Sequence, residues 1–182
     1  MTPLTYTELW KALTHEERRE ACVDIWTASD ETSLHERPAI LTALGKALHF
    51  REKFLRAQTA DKLTGWLLLR AGQPEFRKFH GDLLRAWLLA RHAAMIENFL
   101  DVQGISHEGA FLKGAPPPPE EAALRKGIRM LCEQSTMRTA CLYLGFTLAS
   151  DENGFWAALP TAISAESLDL AAGLAGGNCS QG

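Results

Sequence analysis

The chain has no Cys-x-x-Cys pair, no His-Glu-x-x-His, no phosphate-binding glycine loop and no Gly-x-Ser-x-Gly elbow. Each absence removes a chemistry that has its own spacing rule. A structural zinc site needs about four converging ligands, commonly in pairs roughly two to four residues apart. Here Cys22, Cys132, Cys141 and Cys179 stand singly, and the six histidines show no ligand spacing. Neither a metal nor a cofactor is expected. Strict apolar–polar alternation, the mark of a half-buried strand, is nearly missing too.

Long uncharged apolar runs are also lacking. The most hydrophobic stretch, Leu83 to Leu100, holds Arg85, Arg91, His92 and Glu97. Charges near its centre make it a buried helix rather than a membrane span. Met1-Thr-Pro-Leu-Thr-Tyr6 has no basic stretch followed by an apolar one. A cytoplasmic location is therefore expected, with reduced thiols and an idle glycosylation sequon at Asn178-Cys179-Ser180.

What is present is a chain of 182 residues, 46% hydrophobic, with a net charge of −3. That length suits one domain able to bury a sizeable core without staples. The charge is uneven: residues 1–49, 50–92 and 93–182 carry −3, +5 and −5. The middle is basic and the flanks are acidic.

Apolar residues recur at helical spacing throughout, which predicts an all-α fold of about seven to nine short helices around one long central helix. Thr14-His-Glu-Glu17 reads as a capping box, with Arg18, Arg19 and Glu20 of its helix facing water. Asp30 to Ser33 reads as a polar loop, and Pro38 as the first turn of the next helix, on which Gly45 lets another helix approach closely. Thr59 is expected to cap a helix through Ala71. The long helix spans about Asp82 to Gln103, closed by Gly104 in a Schellman cap with Ile105 packing on Leu100. Pro116 to Pro119 form a stiff spacer before a helix opened by Glu120 and Glu121. Another helix starts near Ser135-Thr136, and Phe155 to Pro160 reads as the last. The helical domain is placed at 1–160, with a sub-boundary at the proline run 115–119 and a disordered tail at 161–182. Trp10, Trp26, Trp66, Trp87 and Trp156 are all assigned to the core.

The most distinctive segment is Phe99-Leu-Asp101-Val-Gln-Gly104-Ile-Ser-His107-Glu108-Gly109. Here the sequence resembles a family of bacterial all-helical proteins that carry a similar Phe-Leu-Asp, Gly-Ile, His-Glu-Gly stretch. The likeness runs from Leu9-Trp10 to Trp156-Ala-Ala-Leu159 and departs at His49 to Leu55 and in the four prolines. It implies the fold and a bacterial origin, and no activity.

Asp101, His107 and Glu108 are the candidate catalytic residues, since a histidine beside carboxylates can serve as general base or ligand. The favoured alternative is that they fix the turn after the long helix. The basic segment offers Arg51, Lys53, Arg56, Arg77 and Lys78 as anion- or partner-binding candidates, with Phe50, Phe54, Phe76 and Phe79 interleaved. No nucleic-acid-binding motif accompanies them, so nucleic acid is not favoured. A non-enzymatic helical adaptor that binds another protein is the leading expectation. A small-ligand binder or enzyme built on Asp101, His107 and Glu108 comes second, and phosphate or nucleic-acid binding through residues 50–92 third. The oligomeric state is left open.

Overall fold

The computed structural model describes residues 4–176, so Cys179 and the sequon lie outside the described residues. The fold is all-α. Its helices are α1 (Tyr6–Ala12), α2 (His15–Thr27), α3 (Glu31–Leu48), α4 (Glu52–Arg56), α5 (Ala60–Arg70), α6 (His80–Val102), α7 (Glu121–Gln134), α8 (Met137–Ala149), α9 (Leu159–Ala165) and α10 (Leu170–Leu174). A 3-10 turn, Pro74–Phe79, precedes α6. A small antiparallel hairpin, β1 (His107–Glu108) and β2 (Phe111–Leu112), follows it.

The residues fall into two compact units: Tyr6–Arg91, and the described residues of Met1–Thr5 with His92–Gly182. The division lies within α6, where His92 leaves helical geometry at φ −130°, ψ 18°. The proline run lies inside the second unit.

In the unit Tyr6–Arg91, Leu9, Ile25, Ile40, Leu44, Leu55, Leu67, Phe76 and Leu83 are buried. The capping box at Thr14 forms as expected, the Thr14 hydroxyl accepting from the Glu17 amide at 3.2 Å and Glu17 accepting from the Thr14 amide at 2.6 Å. Asp30, read as loop, is instead the cap of α3, its carboxylate accepting from the Ser33 amide at 2.8 Å. That bond starts α3 seven residues before Pro38, which sits in the helix interior. Thr59 occupies the cap position of α5 without a side-chain bond. Glu20 faces water only in part: its side chain is 31% exposed, and its carboxylate accepts from the Trp87 indole at 3.1 Å.

The second unit packs Phe99 edge-on to Tyr143, ring centroids 5.4 Å apart, and beside Trp156 at 5.9 Å. Leu124, Ile128, Leu131, Leu144, Leu159 and Ile163 complete its buried set. Pro160 opens α9 rather than closing a helix, which suits a residue with no N–H to donate in the first turn. Residues 161–176 are not a disordered tail. Asp169 accepts from the amides of Ala171 and Ala172, starting α10, and Leu170 and Gly173 are buried. Small residues there permit close packing: a Cβ on Gly173 would run into the Cys141 sulfur.

Candidate functional site

The segment after α6 is built by local rules. Gly104 adopts φ +66°, the left-handed region open to glycine at little steric penalty. The Gly104 amide donates to the Asp101 carbonyl at 2.9 Å and the Ile105 amide to the Leu100 carbonyl at 3.1 Å, the two bonds of a Schellman cap. The chain then turns into the hairpin, where Glu108 pairs with Phe111 and His107 with Leu112.

The cap and the hairpin bring Asp101 and His107 together. His107 Nδ1 lies 2.6 Å from the Gly109 carbonyl and Nε2 lies 3.0 Å from Asp101 Oδ1. Both partners are acceptors, so the ring that satisfies both donates from both nitrogens and is the cation. The Asp101 carboxylate, helped by the Gly109 carbonyl, accordingly holds His107 above its ordinary value. In this state the imidazole has no free lone pair with which to act as base or ligand. Glu108 does not converge with them. Its side chain is 86% exposed and stands 4.0 Å from the Lys113 ammonium. The arrangement clasps a hairpin to a helix end.

His80 shows the opposite solution. It is buried, stacked on Trp10 with ring centroids 5.1 Å apart, and its Nε2 donates to the Ala71 carbonyl at 2.8 Å. The Thr7 hydroxyl lies 3.2 Å from Nδ1 and can donate to it. A neutral ring meets both needs, and burial holds His80 below its ordinary value. Burial likewise pushes the Cys22 thiol up to about 12, leaving it inert. Among the described residues no three His, Cys, Asp or Glu side chains are grouped to hold a metal ion, and no helix is long and apolar enough to cross a membrane.

Three cations of the basic segment are paired with carboxylates. Arg91 binds Asp24, Arg85 reaches Asp82 at 3.3 Å and Arg56 reaches Glu52 at 2.9 Å. Phe76 and Phe79 are buried, and Lys78 lies 4.9 Å over the Phe79 ring. Arg77 and Lys78 belong to the 3-10 turn, whereas Arg51, Lys53 and Arg56 cap and form α4. Lys78 borders an open cleft with Lys46 and Glu75.

A feature the sequence reading missed sits on α4 and α5. Phe50 lies 5.0 Å from Phe54 and 5.5 Å from Trp66, and Phe54 lies 6.4 Å from Trp66, centroid to centroid. Yet Phe50 is 40% exposed, Phe54 47% and Leu69, one turn beyond Trp66, 78%. Trp66 and Trp26 are only half-buried, unlike the other three tryptophans. The geometry follows from the end of α3. His49 takes φ +55° and the Phe50 amide donates back to the Gly45 carbonyl at 3.0 Å. The helix expected to approach Gly45 is represented by the Leu55 side chain of α4, 3.6 Å from a Cβ built there, whereas the closer neighbour is this turn, with the Phe50 carbonyl oxygen 3.0 Å from that Cβ. The turn thereby sets Phe50 against Phe54 and Trp66.

Comparison of the chain with protein-family models, with curated proteins and with solved structures finds no match.

Proposed function

We propose that the chain is a non-enzymatic, cytoplasmic protein-interaction module of a bacterial cell, and that its contact surface is the aromatic face of α4 and α5. One observation carries this reading: Phe50, Phe54 and Trp66 touch each other while Phe50, Phe54 and Leu69 remain exposed. Single apolar residues on a surface need no explanation, whereas a contiguous cluster marks a contact site. Aromatic side chains supply large contact area with few rotors to freeze, which is why they dominate binding hot spots. The Asp101–His107 pair, by contrast, spends its hydrogen bonds on its own backbone and cap.

The test is affinity capture from extracts of the cells that make the protein, with the parent and a Phe54→Ser variant side by side. A protein retained by the parent and lost by Phe54→Ser supports the reading. Identical retention by both contradicts it.

A further inference from the structure

We infer that the occupant of the α4–α5 face is an acidic amphipathic helix, a deduction that rests on the protein-binding reading above. The face is a stripe, cationic at Lys62 and apolar at Trp66 and Leu69. On α5, Lys62, Gly65, Trp66 and Leu69 recur at helical spacing and share one side, and Phe50 and Phe54 pack beside Trp66. The stripe from Lys62 to Leu69 runs about 10 Å, two helical turns, which matches anchors spaced i, i+3, i+4 and i+7 on a partner helix.

The rim gives the partner its sign. Residues 50–70 hold five Lys or Arg against two Asp or Glu. Arg56 is committed to Glu52, but Arg51 and Lys53 are exposed and pair with no carboxylate among the described residues. Free cations beside an apolar platform complement a helix with carboxylates flanking its apolar anchors.

Gly65 supplies a variant that separates docking from folding. It is exposed within α5, and a Cβ built there meets nothing within 4 Å. A glutamine at this position gains helix propensity while standing in the path of a docking helix.

The experiment uses the full chain and two fluorescein-labelled synthetic peptides of about fifteen residues, with Leu and Trp anchors at i, i+3, i+4 and i+7. One carries Glu at its remaining positions, the other Lys. Anisotropy titration should show the Glu peptide binding at least about tenfold more tightly than the Lys peptide, with added salt eroding the difference. Gly65→Gln and the double variant Arg51→Glu/Lys53→Glu should each weaken the Glu peptide about tenfold or more, Gly65→Gln melting at or above the parent. Equal binding of the two peptides, or indifference to the double variant, overturns the inference. So does parent chain that self-associates through this face, becoming monomeric as Gly65→Gln, or that binds anionic phosphatidylserine vesicles or single-stranded oligonucleotide in preference to the Glu peptide. If neither peptide binds while a cellular protein is retained by the parent and lost by Phe54→Ser, the acidic-helix inference fails and the protein-binding reading stands. If that Phe54-dependent retention is missing as well, both fail.

Discussion

Arg91 holds the buried carboxylate of Asp24 with two nitrogens, Nε on Oδ2 at 3.0 Å and Nη2 on Oδ1 at 3.1 Å. Asp24 is 4% exposed, and its neighbour one turn back, Glu20, binds Trp87, itself one turn before Arg91. Residues four apart on α2 thus meet residues four apart on α6.

The two members of the Arg91 pair are not equivalent. Removing Arg91 strands a carboxylate away from water, so Arg91→Ala should lower stability by about 3 kcal/mol in urea unfolding. The exposed Arg56–Glu52 pair has the same charges and far less at stake, and Arg56→Ala should change stability by less than about 1 kcal/mol. Equal effects would mean that burial of Asp24 does not govern the pair.

Trp87 is buried, and its indole N–H is satisfied by Glu20. Trp87→Ala removes the ring and leaves a cavity, for an expected loss of about 3–5 kcal/mol. A variant melting with the parent would contradict this placement.

The capping box at Thr14 and the Schellman cap at Gly104 were legible because each is a bond within one turn of chain, written in neighbouring residues. The caps at Asp30 and Asp169 were missed for a related reason: Pro38 and the small residues after Ala165 are louder signals, yet one carboxylate on one or two amides outweighs them. Glu20 and Trp66 were misread because amphipathic spacing gives a helix face its polarity and says nothing of what stands opposite. The aromatic face of α4–α5 needed the turn at His49 and Phe50, which rests on a left-handed histidine no spacing rule announces.

Gly104 and Gly65 separate two roles of glycine. A Cβ on Gly104 meets no atom within 4 Å, so Gly104→Ala should lose about 1 kcal/mol through its φ of +66° alone. Gly65 has ordinary helical geometry, and Gly65→Ala should gain about 0.5–1 kcal/mol. Opposite shifts in melting temperature are expected, and shifts of the same sign would refute the assignment.

His107 and His80 should respond to pH in opposite senses. His107 is raised above 6.5 in the folded chain, so its contribution is fully present below 6.5 and lost as pH rises through the raised value. His80 is lowered below 6.5, so its contribution is present above 6.5 and lost as pH falls through the lowered value. The melting gap between parent and His107→Ala should therefore be wider at about pH 5.5 than at about pH 8.5, and the gap for His80→Gln the reverse. Two gaps that move together with pH would contradict the assigned charge states.

The most direct test of the α4–α5 face as the working surface is photo-cross-linking in the cells that express the protein. A photo-reactive phenylalanine analogue replaces the exposed Leu69 of α5 in one strain and the exposed Ala122 of α7 in another. A discrete heavier adduct formed from position 69, absent from position 122 and abolished by Phe54→Ser, is the expected result. Adducts formed equally from both positions, or from position 122 alone, would contradict it.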